Sequence, residues 1–256
     1  MRTGALVLRQ VRFTHLAFVR NPAAAIFTVV FPLVLLVLLT TLLGDGTVER
    51  EGVVHDRTSY YVVAMAVFGL ISACYTNVAM SITLAREQGV LKRMRGTPLP
   101  TGAYLAARLT HAALVGSVLV VVTIGYGVLV GAIDPPSGVN LLRLIAVVVL
   151  GSVCFAALGL AVSTVVPTVA AAPPLVNGLA FPLLLLSGVF VPIGDEAPGW
   201  VTTVAGWFPV QPLFDAVFAG AVRGTNVEGS DLGVVALWLL TASVVAVRRF
   251  RWQPSA

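Results

Sequence analysis

Charge is scarce in this sequence: only 11% of its 256 residues are Asp, Glu, Lys or Arg and 58% are hydrophobic, whereas about a quarter of a soluble domain is charged. Water is therefore not the main solvent, and a mean hydropathy of +0.96 agrees. There is one lysine, Lys92, and its surroundings Gly89-Val-Leu-Lys-Arg lack the glycine spacing and the following Ser or Thr of a phosphate-binding loop. ATP is not held through that motif, and no cofactor is expected on this chain. His15, His55 and His111 are scattered and form no HExxH pattern, which removes the usual grounds for a metal site. Cys74 and Cys154 both fall inside apolar runs, where a small packing residue is expected and a disulfide is not. No serine occupies a nucleophile-elbow sequence, so a membrane-embedded enzyme has no motif to support it.

What the sequence has is apolar runs: Ala23 to Leu43, Tyr60 to Leu84, Leu109 to Ile133, Leu144 to Val166, Leu175 to Val191 and Leu232 to Val247. None contains a charged residue. A helix needs about 20 mostly apolar residues to cross the hydrocarbon core, and a charge at mid-membrane costs about 2.5 to 3.5 kcal/mol on insertion scales. Six charge-free windows between charged loops predict an all-α integral membrane protein with six transmembrane helices in a single transmembrane domain, 1–256. The last two runs are short and would span with help from flanking groups or local bilayer thinning. The basic start followed by an apolar run resembles a signal peptide, but the 21 positions from Ala23 to Leu43 exceed a typical signal core and no small-x-small site follows; a retained first span is expected.

The net charge of +5 reflects basic residues beside the apolar runs, which implies orientation and contact with anionic membrane lipids, not nucleic acid. With a cytoplasmic amino terminus, twelve basic residues lie inside (Arg2, Arg9, Arg12, Arg20, Arg86, Lys92, Arg93, Arg95, Arg108, Arg248, Arg249, Arg251) and four outside (Arg50, Arg57, Arg143, Arg223). The expected location is the cell membrane, multi-pass, with both termini cytoplasmic. Residues 1–22 carry Leu6, Val7, Val11, Phe13, Leu16 and Val19 between arginines at helical spacing, predicting an amphipathic helix on the cytoplasmic surface. In 192–230, Trp200, Val201, Val204, Trp207 and Phe208 form one helical stripe and Leu213, Phe214, Val217, Phe218 and Val222 another, broken at Pro209 and Pro212. Neither stripe is long enough to cross, so an outer re-entrant helical hairpin is expected, its tryptophans at headgroup level.

The spans hold no ionisable group besides His111 near one end, which argues against an ion-coupled carrier and for an energy source on another chain. Their polar residues are mild. Thr76 and Asn77 in the second span and Asn177 in the fifth, with Phe181, Pro182 and Phe190, mark helices that do not face lipid; they are the candidate substrate path. A charge-free path suits an apolar or amphiphilic substrate. Gly127 and Gly131 form a GxxxG that permits close helix approach.

Between the second and third spans lies Arg86-Glu-Gln-Gly-Val-Leu-Lys-Arg-Met-Arg-Gly-Thr-Pro-Leu-Pro. It resembles the RE-x-G-x-L-(K/E)-R-(L/M)-(R/L)-x-TP sequence of type-2 permeases of ATP-binding-cassette (ABC) exporters. Arg20-Asn-Pro before the first span, and Leu186-Ser-Gly-Val-Phe-Val-Pro followed by Pro198 and Trp207-Phe-Pro, look like that family's first-span start and fifth-span exit. Length and an Arg-over-Lys, Ala- and Val-rich composition are similar to the daunorubicin-type drug-efflux permeases. The resemblance implies a non-catalytic subunit that pairs with a second permease copy or a paralogue and binds ABC ATPase subunits, which hold the ATP and Mg. It also implies export of a drug, lipid or glycolipid. Arg86, Glu87, Gly89, Leu91, Arg93, Thr97 and Pro98, within a cytoplasmic coupling segment 86–103, match the part that meets the ATPase; Val90, Leu91 and Met94 are expected to supply an apolar contact to it, with Glu87 paired among the surrounding basic residues. From another class, a membrane scaffold or assembly protein without transport remains an alternative to be separated by a copurifying ATPase.

Overall fold

Without water, backbone groups in a bilayer core must satisfy one another, and a helix does so within one segment. A computed structural model describes residues 3–50, 53–96, 99–192, 198–222 and 227–249, and these are mostly helical. Helix α1, Thr3–Val19, is followed by Asn21, whose side chain accepts a hydrogen bond from the Ala24 N–H at 3.3 Å, with Pro22 in the first turn. An Asn cap with Pro behind it is a strong helix start, and it opens α2, Pro22–Leu43. A π turn, Ile26–Val30, precedes Pro32, which has no N–H for the Thr28 carbonyl.

Asp56 caps the next helix by accepting from the Thr58 N–H at 3.1 Å, and α3 runs Arg57–Glu87 through a second π turn, Ser72–Thr76. The order continues with α4 (Val90–Arg95), α5 (Thr101–Leu129), α6 (Gly138–Ser163), α7 (Ala172–Leu186), α8 (Gly199–Trp207), α9 (Val210–Ala221) and α10 (Gly229–Arg249). Five of these, α2, α3, α5, α6 and α10, are long and apolar enough to cross a membrane. The expected fifth span differs. Its run to Val191 does not stay helical: α7 has 15 residues and stops at Leu186, because Gly188 takes a left-handed φ of 74° that turns the chain. The chain is mostly helical, as expected of an all-α membrane protein, with one short addition. Thr47–Arg50 and Val53–Asp56 form an antiparallel pair, β1 and β2, with Val48 opposite His55.

Helix α3 is the centre, buried over most of its length against α2, α5, α6 and α9. Close approach is possible because neighbouring helices place glycine against it. A methyl on Gly159 of α6 would lie 2.6 Å from the Tyr75 carbonyl oxygen, one on Gly116 of α5 2.9 Å from Cys74 Sγ, and one on Gly127 2.8 Å from Val62. Gly131, the other half of the GxxxG, packs on nothing; with φ 75° it ends α5 instead. Cys74 and Cys154 are buried free thiols, and Cys74 Sγ donates to the Ala112 carbonyl at 3.3 Å.

The amphipathic α1 buries a face through Thr14 against α5, while Phe13, Leu16 and Val19 stay exposed beside Arg9, Arg12 and Arg20. In the 192–230 segment the second stripe is buried: Leu213 fills the space above Gly151, and the Phe214 and Phe218 rings lie 5.3 and 6.3 Å from Tyr60. The first stripe leaves Trp200 and Trp207 exposed, and the Trp207 carbonyl accepts from Trp238 Nε1–H of α10 at 2.8 Å.

Two glycine substitutions should separate close approach from helix propensity. Gly159→Ala is expected to cost about 1 to 3 kcal/mol, because backbone must shift away from the new methyl. Gly178→Ala, where no atom lies within 4 Å, should be neutral or slightly stabilising. Thermal melts of the purified chain in detergent test this; equal melting points for the two variants would remove Gly159 from the account.

Candidate functional site

Thr76 and Asn77 sit where the π turn of α3 ends and Asn177 and Phe181 on α7, and the fold brings all four onto one cleft of about 560 Å³ between α2, α3 and α7. A π turn changes the direction in which the following side chains point, and such turns recur at functional sites. Tyr75, inside the turn, donates its hydroxyl to the Val176 carbonyl at 3.2 Å and so ties α7 beside Asn177 to α3. Tyr60 donates to the Gly188 carbonyl, fixing the other end of the α7 exit. Phe190, expected on the path, does not line the cleft; its ring lies 5.3 Å from that of Phe68, which does.

The wall contributed by α2 was not legible from the sequence. Phe27, Thr28 and Phe31 line the cleft, the Phe31 ring 6.0 Å from Phe68 in an edge-on contact. In the sequence this run offers one threonine, Thr28, and neither an amide nor a charge to mark it. Among the described lining residues none is ionisable. Such a surface grips by shape, aromatic faces and two amides, and it admits an apolar or amphiphilic molecule without desolvating a charge.

At the basic end of the bundle, Arg86 and Glu87 act on a connection about 80 residues away. The buried Arg86 guanidinium donates to the Ser163 carbonyl at 2.8 Å and to the Val166 carbonyl. Ser163 is the last residue of α6, where carbonyls lack helical partners and a cation complements the helix dipole. Glu87 accepts from the Val169 N–H at 2.6 Å. The two residues latch the α6–α7 connection onto the end of α3. The expectation sets Glu87 among Arg86, Lys92, Arg93 and Arg95; it neighbours Arg86 and in addition holds a backbone partner, Val169.

Gly89 adopts φ 69° with open space around it, so its requirement is conformational: it turns the chain from α3 into α4. In α4 the expected apolar contact surface is corrected. Leu91 is fully buried, and Val90 and Met94 pack on the same core, since they share one helix face and gain by leaving solvent. Lys92 and Arg93 are exposed, and an Arg93 terminal N–H reaches the Gln88 carbonyl at 3.5 Å. Thr97 and Pro98 lie outside the described residues.

The latch makes a local prediction. Arg86→Ala strands two carbonyls, and at about 1.5 to 3 kcal/mol for a hydrogen bond to a charged group it should be strongly destabilising. Glu87→Ala should leave global stability within about 1 kcal/mol because the group is exposed, yet raise amide exchange at 168–170. Glu87→Gln keeps an acceptor and should restore protection. Unchanged exchange in Glu87→Ala would show that the Val169 contact does not hold the connection.

The family model for the ABC-2 type transporter matches residues 5–221, from α1 to the end of α9. The "probable doxorubicin resistance ABC transporter permease protein DrrC" of two Mycobacterium tuberculosis strains is 27% identical over 236 residues, 89% of this chain and 79% of that protein. The "daunorubicin resistance ABC transporter permease protein DrrB1" of Streptomyces coeruleorubidus is 26% identical over 249 residues, 91% of this chain and 81% of that one. Both the cleft and the latch fall within the matched region, and the chain therefore belongs to the ABC-2 type transporter family, as a transmembrane permease subunit of an ABC exporter.

Proposed function

We propose that the cleft between α2, α3 and α7 is the path by which a hydrophobic or amphiphilic molecule, a drug, lipid or glycolipid, leaves the cell. The observation that carries this reading is the convergence of Thr76, Asn77, Asn177 and Phe181 on one aromatic-walled cleft whose described lining is uncharged. The resistance names of the relatives favour a drug of the doxorubicin or daunorubicin kind. The cleft is open on one side, with Phe27 68% exposed at its rim. A second permease copy or a paralogue closes it.

Energy comes from a separate ABC ATPase that carries ATP and Mg and seats against α4. Its contact is polar, through the exposed Lys92 and Arg93, since Leu91 is buried in the chain's own core. Movement of α4 is carried by Gly89 to the Arg86–Glu87 latch, from the latch to the α6–α7 connection, and from there into α7, which lines the cleft. In this arrangement the basic end is cytoplasmic, α7 makes the fifth of six crossings, and α8 with α9 forms the hairpin dipping into the outer leaflet.

Two experiments test the reading. Asn77→Ala and Asn177→Ala should each reduce doxorubicin efflux roughly fivefold at equal expression, matching about 1 kcal/mol of lost amide contact; normal efflux of a panel of amphiphiles by both variants would move the path elsewhere. Single cysteines at Arg93 and Asp45 should label from opposite faces of sealed vesicles, and labelling from one face would overturn the orientation.

A further inference from the structure

A second cavity, of about 220 Å³, lies at the basic end between α1, α3 and α5, walled by Thr14, Asn21, Asn77, Ser81, Arg108 and His111 among others. We propose that it binds the phosphate headgroup of an anionic phospholipid, a site that goes beyond the export reading and does not depend on the identity of the exported molecule.

Two polar atoms on its wall are buried and unanswered. Thr14 Oγ1 and His111 Nε2 have no hydrogen-bond partner, although the residues are only 7% and 5% exposed. An orphaned buried polar atom is costly and calls for a polar occupant. The His111 ring is held between the His15 and Phe18 rings, each 5.6 Å away, so it does not have a free swing to another partner. Arg108 donates Nε–H to the Tyr104 hydroxyl at 3.1 Å and one terminal N–H to Ser81 Oγ at 3.4 Å. A guanidinium has five N–H donors in a planar fork, which leaves donors to meet an anion.

The sign of the occupant follows from the lining, which among the described residues includes no Asp or Glu and is rich in donors. At about 220 Å³ it is larger than one water needs, about 10 to 15 Å³, and has room for a phosphate group. That the phosphate belongs to a lipid follows from what surrounds the cavity. Over it lies α1, with Leu8, Phe13, Leu16 and Val19 exposed beside Arg9, Arg12 and Arg20, the composition of a helix that rests in a membrane interface. Beside it α2 presents a largely exposed apolar surface along which acyl chains can lie. Ala24 and Asn77 belong to the walls of both this cavity and the uncharged cleft, so a bound lipid stands directly beside the transport path.

The test uses the full-length chain, delipidated in mild detergent, with phosphatidylglycerol, phosphatidylcholine and inorganic phosphate as probes, read by native mass spectrometry and thermal melting. Phosphatidylglycerol should be retained and raise the melting temperature. Thr14→Val, which replaces the stranded hydroxyl by a methyl of the same shape, and Arg108→Gln should each weaken its retention at least tenfold, while Thr14→Val without lipid melts no lower than the parent chain. Retention unchanged in Thr14→Val, or phosphatidylcholine retained equally well, would overturn the proposal. Inorganic phosphate that reproduces the shift and displaces the lipid would show a free-anion site and overturn the lipid assignment. Failure of the transport reading registers separately, because Asn177→Ala alters the cleft without touching this cavity.

Discussion

The fold depends on one approach of backbone to backbone: the Tyr75 carbonyl of α3 lies where a side chain on Gly159 of α6 would otherwise be. Helix association in lipid has no water-driven hydrophobic term, so it rests on such close packing and on hydrogen bonds between helices. Here both occur within the same turn. The π turn Ser72–Thr76 carries the carbonyl that meets Gly159, the Cys74 thiol that bonds to α5, and the Tyr75 hydroxyl that bonds to α7. A bulkier residue at Gly159 displaces α3 from all three neighbours, and with them the positions of Thr76 and Asn77.

From that anchor the chain distributes polarity unevenly. The cleft has amides and hydroxyls but no described charge, whereas the guanidinium of Arg86 is buried where the last carbonyl of α6 and one in the connection after it receive it. Burying a cation is tolerable when its donors are answered, and Ser163 and Val166 can answer because their carbonyls have no intrahelical partner. The same contact makes the end of α3 and the start of α7 parts of one assembly. The backbone and these hydrogen bonds thus connect α4 contiguously to α7, and among the described residues the cleft lining carries no ionisable group.

The features legible in the sequence are those set by local composition. Long charge-free runs gave α2, α3, α5, α6 and α10, and the isolated asparagines Asn77 and Asn177 in apolar helices pointed to residues that share one cleft. What was not legible depends on partners distant in the chain. Nothing near Glu87 reveals that Val169 is its acceptor's donor, and Leu91 reads as a surface contact until the packing behind it is known. The short β1–β2 pair escaped because its strands have four residues each and mixed polarity. The end of α7 escaped because apolar composition continues through Gly188 while the backbone does not.

Asn77 stands at the boundary between two environments of opposite character, a donor-rich cavity under α1 and an uncharged aromatic cleft toward α7. An amide is suited to that position because it both donates and accepts and carries no charge to be desolvated. An aspartate there would repel an anionic headgroup on one side and burden the cleft with an unpaired charge on the other; a leucine would remove the one amide that both walls share. The amphiphile expected in the cleft and the lipid expected beside it thus make compatible demands on one residue, and an uncharged hydrogen-bonding group meets both.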